Sequence, residues 1–427
     1  MLQFAVPGAR LTFARLSGPL LLAVAAFALI ATGLLGVGRG ASRPFSDLDQ
    51  FVASGGFWLR GETPYDRTAW RARFEAEAGY DPIVPFPYPP QSAPFAVPTA
   101  WLGLSAARAV AAAVSLAAVA LLALAAVRWV RDAEVPRPAS THPATPWVLA
   151  VLVVGNPFTS HLTWLAQPTL PVAALLAWSW LLARRRHDVA AGLLLGIATL
   201  KPQFLLLPLL WLLLERRWRM LSVAAAVSLA LAVPAFASIG VGPALRGWTT
   251  SLLTYTQYDA NQPGHPWVVG LPSLAAACGI PAPAPFVVLA AAVPLVVALF
   301  LARRRLGPDD HLGLLAGIQC ALVYGHTNDV VFLVPLAAAT WLHIADRRAL
   351  WAPAALVVAL LCVPQRLVHL AGIPLLEHWR TPLVLVALVG LLALSLQHRV
   401  AVSDSPPGTP CGRGPILCRG DGHRSLP

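Results

Sequence analysis

Apolar residues in this chain gather into long runs separated by short polar breaks. The runs lie near 18–38, 98–127, 147–158, 168–183, 188–200, 203–214, 220–238, 284–302, 311–324, 330–345, 350–365 and 381–397. At about 1.5 Å of rise per helical residue, several are long enough to cross a hydrocarbon core of about 30 Å. The pattern predicts an all-α polytopic membrane protein, a bundle of about 10–12 transmembrane or re-entrant helices. The first run follows Arg10 and Arg15 and has the outline of a signal peptide. Its length of about 20 residues and the many runs behind it favour a retained first helix.

Composition agrees with that reading. Of 427 residues 57% are hydrophobic and 12% charged, with a mean hydropathy of +0.66, outside the balance of a soluble domain. A net charge of +12 would suit nucleic acid if the basic residues formed one patch. They fall instead into short arginine clusters between apolar runs, as loop anchors do, so no nucleic-acid partner is expected. If every run crosses or dips and returns, the clusters at Arg10/Arg15, Arg128/Arg131/Arg137, Arg184–Arg186, Arg216/Arg217/Arg219, Arg303–Arg305, Arg347/Arg348 and Arg399 share one side. That side is then cytoplasmic, with both termini. Residues 1–400 read as one membrane-embedded domain, with outer loops at 39–97 and 239–283 and a disordered cytoplasmic tail over 401–427. The five cysteines have neither a disulfide framework nor a zinc spacing, and read as unpaired thiols.

The breaks are more informative than the runs. Read as one helix, "DVAAGLLLGIATLKPQFLLLPLLWLLL" (188–214) would cross the membrane and put "ARRRH" and "ERRWR" on opposite faces. Read as two pieces, each spans about 20 Å and is too short to cross. The turn at Lys201-Pro202 therefore lies within the membrane depth, where non-helical backbone survives only beside protein or water. "GNPFTSHLTWLAQP" and "GHTND" have the same character, and the three breaks point to one polar chamber near the outer face.

A few polar groups could work in such a chamber. Asp47 and Asp49 sit two apart, so on a helix they point about 200° from each other and only one can face a shared site. The plain alternative is an acidic pair at a helix N-terminus. Lys201, the one lysine in the chain, lies beside an apolar run. There an ammonium costs about 2.5–3.5 kcal/mol unless it is paired or snorkels, and an ammonium binds phosphate as a point charge. His326 and Asn328, with Asp329, mark the "GHTND" break and suit hydrogen bonding to a polyhydroxylated ligand. Gln167 marks another break. Tyr88 and Gln91 belong to "YPPQSAPF", which leads into the second membrane helix. No HExxH, Walker A or strand-bound GxGxxG is present, so neither metal nor nucleotide is signalled.

An ordered set of segments is similar to glycosyltransferase family 87, the polyprenol-phosphate-mannose-dependent mannosyltransferases of GT-C architecture. The set runs from "SDLDQFVASGGFWLRGETPYD" through "YPPQSAPFAVP" and the long stretch from "GNPFTSHLTWLAQP" to "LLERRWR", ending at "YGHTNDVVFLVPL". The resemblance implies a GT-C-type bundle whose structured first outer loop carries a catalytic carboxylate. Asp47 matches that acid because Phe51 stands at the family's aromatic spacing, with Asp49 in reserve. It further implies Lys201 and His326 as donor-phosphate contacts, and Tyr65, Tyr88, Gln91, Gln167 and Asn328 as sugar or acceptor contacts. Arg246, Arg366 and Arg380 are helpers in outer segments. The implied partners are a polyprenyl-phosphate-sugar donor, a lipid or glycan acceptor, and membrane lipids. No cofactor or metal is expected, and the implied location is a cell inner or plasma membrane. The rival reading is a transporter or flippase of a lipid-linked or polar substrate. The long first loop and the lack of two matching halves stand against it.

Overall fold

The computed structural model describes residues 19–31, 47–82, 84–133, 145–283, 285–323, 325–345 and 347–403. The tail expected to be disordered lies outside the described residues from position 404 on, as do Arg10, Arg15 and Arg137. Within the described residues the chain is built almost wholly of helices, α1 (Pro19–Ala31) through α18 (Arg380–Ser403). Four stretches are long and apolar enough to cross a membrane: Pro90–Arg131, Trp218–Ile239, Thr327–Ile344 and Arg380–Gln397. A bent pair makes a fifth, and shorter apolar helices fill the rest of the bundle. Large apolar side chains such as Leu229 and Val233 on α10 (Trp218–Ile239) are more than half exposed, as lipid-facing residues are. The chain is an all-α polytopic membrane protein.

The first long loop is folded. α2 (Asp47–Leu59) and α3 (Arg67–Ala78) bury an aromatic cluster of Phe51, Phe57, Trp58, Trp70, Phe74, Phe86 and Tyr88. Aromatic pairs of this kind contribute about 0.5–1.5 kcal/mol each beyond area burial. Asp66 caps α3 by accepting from the amide of Ala69 at 2.9 Å, and Gly79 ends it in the left-handed conformation. α2 lies against the start of α4 (Ala93–Arg131). The approach is so close that a Cβ at Gly55 would fall 2.1 Å from the carbonyl oxygen of Ala96. The small residues of "ASGG" are there to let two backbones meet.

Local chemistry sets each break. α5 (Thr145–Gly155) and α6 (Pro157–Leu165) meet at 48°. Asn156 there accepts from the Thr159 amide at 2.9 Å and donates to the Leu152 carbonyl at 2.8 Å, while Pro157 begins the second helix. α8 (Asp188–Ala198) and α9 (Leu206–Leu214) are separate helices, joined by a turn holding Lys201 and a short 3-10 segment, Pro202–Phe204. α8 packs between α7 (Thr169–Arg184) and α10. A Cβ added at Gly192 would fall 2.6 Å from the carbonyl oxygen of Met220, and one at Gly196 would fall 2.6 Å from Cβ of Val227.

The stretch from 239 to 283, expected as a loop, contains α11 (Val241–Tyr255) and α12 (Leu271–Ala277). Between them β1 (Val268–Val269) pairs antiparallel with β2 (Gly325–His326), placing Val268 opposite His326. Two-residue strands carry no readable alternation, and so the pairing leaves no mark in the sequence.

α7, α14 (His311–Leu322) and α15 (Val334–Ile344) each run from the breaks to a second polar knot. There Arg184 pairs with the fully buried Asp309. Asp310 meets His343 at 2.9 Å and accepts from Ser395 at 2.7 Å. The knot fixes the far ends of the three helices whose near ends carry the site.

Candidate active site

The three breaks expected to line a polar chamber come together. Lys201 is 5% exposed. Its Nζ donates to Thr169 Oγ1 at 2.5 Å and to Asp329 Oδ1 at 3.1 Å. The ammonium is therefore paired inside the protein and does not snorkel. Asp329 lies in the 3-10 segment Thr327–Leu333, and its Oδ2 accepts from the backbone amide of His326 at 2.9 Å, closing a capping box. His326 Nε2 lies 3.3 Å from the hydroxyl of Tyr255, the last residue of α11. Burial holds the His326 imidazole below its usual range, which favours the neutral ring. Thr169 Oγ1 also lies 2.8 Å from Gln167 Oε1.

Asp47 comes to this cluster from α2. Gln50 Nε2, one turn on, donates to Asp47 Oδ1 at 3.0 Å, and Gln167 hydrogen-bonds the same carboxyl. Burial pushes the Asp47 acid up to about 6, against the opposing pull of Lys201 and the Gln167 bond. Asp49 looks elsewhere: its Oδ2 accepts from Tyr80 at 2.8 Å, and Arg108 stands 3.6 Å from Oδ1. The two acids thus diverge as their helical spacing requires.

The other expected residues sit in different places. Tyr88 is buried with its ring 4.7 Å from Phe51 and within electrostatic reach of Asp47 and Asp329. Tyr65 packs on Phe86 and donates to the Tyr88 carbonyl at 2.9 Å, behind the site. Gln91 is bound to Ser228 of α10 at 3.0 Å and ties helices together. Asn328 is half-buried in the 3-10 segment. Arg380 is engaged by the carbonyls of Leu361 and Val363 and by Gln365, while Arg246 and Arg366 are exposed. A separate cleft of about 880 Å³ lies between the end of α2 and α3, lined by Phe57, Glu62, Asp66 and Arg73 among others. Neither Asp47 nor Lys201 lines it. Among the described residues no three His, Cys, Asp or Glu side chains are grouped to hold a metal.

Sequence reading missed Thr169, Tyr255 and Gln50, and left Asp329 without a role. Asp329 had a signal, since a buried lysine in an apolar bundle calls for a carboxylate and "GHTND" supplies one at a helix break. Thr169 at a helix start looks like any capping hydroxyl.

The fold and this cluster define a polytopic membrane protein in which a carboxyl, an ammonium and an imidazole from distant parts of the chain meet in one buried place. The sequence model of glycosyltransferase family 87 matches residues 86–327, more than half of the chain, and the chain belongs to that family. It is a membrane glycosyltransferase, acting on a sugar donor and an acceptor. No curated protein matches the chain.

Proposed function

We propose that the enzyme moves a hexose, mannose in our reading, from a polyprenyl-phosphate donor to a lipid or glycan acceptor at the outer face of a cell inner or plasma membrane. Asp47 is the general base. As the acceptor oxygen attacks the anomeric carbon, the Asp47 carboxylate takes the hydroxyl proton. The bond from that carbon to the phosphate oxygen breaks, and polyprenyl phosphate departs with the electron pair. Attack from the face opposite the phosphate inverts the centre. Lys201 stabilises the charge growing on the leaving phosphate. An ammonium has three donors; Thr169 and Asp329 take two, and a phosphate oxygen takes the third. Neutral His326 is a further phosphate or sugar contact, and no metal is required.

The observation that carries this reading is the meeting of Asp47 with Lys201, joined through Gln167 and Thr169, although they stand far apart in sequence. A base and a phosphate-binding cation in one buried cluster are what transfer from a lipid phosphate needs. The test is transfer of labelled mannose from polyprenyl-phosphate-mannose to membrane lipid acceptors by the purified protein, wild type against Asp47→Asn. Product from wild type that vanishes in a folded Asn variant is the expected result. No product from folded wild type would overturn the donor assignment.

A further inference from the structure

Thr169 is fully buried, and its hydroxyl has three polar neighbours: Lys201 Nζ at 2.5 Å, Gln167 Oε1 at 2.8 Å and Asp329 Oδ1 at 3.3 Å. A threonine hydroxyl owns one hydrogen and two lone pairs, and an ammonium can only donate. Lys201 therefore donates into a lone pair of Oγ1, and the hydroxyl hydrogen goes to the nearer acceptor, Gln167 Oε1. With its oxygen engaged, Gln167 has its amide nitrogen left for the contact with Asp47, whose ionised carboxylate can only accept. The flipped amide would set its carbonyl oxygen against the carboxylate, acceptor against acceptor, and would send the Thr169 hydrogen to the longer contact with Asp329 Oδ1 at 3.3 Å. Every bond in the series thus points one way, from cation to anion, and bonds so aligned polarise one another.

We propose that Thr169 and Gln167 form a directed hydrogen-bond chain through which Lys201 positions Asp47 and holds it in its proton-accepting form. The proposal rests on the reading of Asp47 as base and Lys201 as phosphate contact. It makes Thr169 and Gln167 positioning residues, and it moves Gln167 from the sugar to the base. It also couples the two substrates. A donor phosphate that draws the ammonium toward itself alters the polarisation reaching Asp47, so the base responds to the presence of the leaving group.

The test is the pH dependence of transfer from polyprenyl-phosphate-mannose by the full-length purified enzyme, comparing wild type with Thr169→Val, Thr169→Ser and Gln167→Met. The charged and titratable groups within electrostatic reach of Asp47 are Asp49, which points away from it on the same helix, Tyr88 before α4, Lys201 in the α8–α9 turn, and Asp329 in the 3-10 segment. All four are kept in every variant. A carboxylate that loses an oriented donor is harder to ionise, so the acidic limb should move up by about 0.5–1 pH unit in Thr169→Val and in Gln167→Met. Thr169→Ser should stay with wild type, and the double variant should shift no further than either single one, because both cut the same chain. A limb that stays put in both single variants, whatever their rate, overturns the proposal. If Thr169→Val does not fold, Gln167→Met decides from the other end. Failure of the underlying reading looks different: wild type transfers nothing, or Asp47→Asn still transfers, and either result overturns the proposal with it.

Discussion

Asp47 and Asp49, two residues apart on α2, belong to different neighbourhoods: Asp47 is held by Gln50 and Gln167 beside Lys201, whereas Asp49 accepts from Tyr80 at 2.8 Å. Removing each acid should therefore have a different effect. Asp47→Asn is expected to lower transfer by about 10²–10⁴-fold, the usual worth of a general base, with the fold intact. Asp49→Asn should keep most activity and lose about 1 kcal/mol of stability through its hydrogen bond. Transfer assays beside thermal melts of both variants check this, and the opposite ranking would exchange the roles of the two acids.

The raised pKa of Asp47 gives a pH dependence. Its folded value, about 6, stands above the ordinary carboxylic-acid value of 3.8, so the folded state favours the protonated acid. Stability from this group is full below about pH 4 and is lost as pH rises through about 6. Activity runs the other way, because the base must be ionised. The rate should fall as pH drops through about 6, and Asp47→Asn should flatten the stability change across the same window. A rate constant from pH 5 to 7 would contradict the assignment.

Lys201 and Asp329 form a buried pair. Removing one partner strands the other charge, at a cost of about 3–5 kcal/mol. Lys201→Met and Asp329→Leu are each expected to melt early, and the double variant to regain much of the loss without regaining transfer. Denaturation in detergent measures the coupling. Additive losses would mean that the pair contributes nothing.

Gly55 faces the carbonyl of Ala96 with no room for a methyl group. Gly55→Ala should push α2 away from α4, cost about 1–3 kcal/mol and lower transfer by displacing Asp47. Gly79→Asn, at an open left-handed position, should be tolerated. Comparing melting and activity of the two separates close packing from backbone freedom.

The α8–α9 turn gives a check on sidedness. With native cysteines replaced, Gln203→Cys should react with a membrane-impermeant thiol reagent applied to the outer face of intact cells. Labelling solely from the cytoplasmic side would reverse the proposed orientation.

Much of the bundle was legible because lipid makes strong demands on sequence. Apolar runs predicted α7 at 168–183 and α10 at 220–238, and the helices lie at Thr169–Arg184 and Trp218–Ile239. Lys201, His326, Gln167 and Asp47 stood out because a polar group among apolar neighbours needs a reason to be there. What stayed hidden depended on distance in the chain. Tyr255 reaches His326 from a stretch read as an outer loop, and the β1–β2 pairing is two residues long. The shared cluster was visible as an expectation of breaks meeting. The hydroxyl of Thr169, which joins its cation to its acid, was visible only once the helices were in place.

The burial of Lys201 has a practical consequence for reagent chemistry. It is the only lysine of the chain, so the intact protein offers an amine-reactive dye its α-amino terminus and one concealed ε-amine. Acylation at position 201 then acts as a native clock for opening of the site, read by mass spectrometry with no label engineered into the protein.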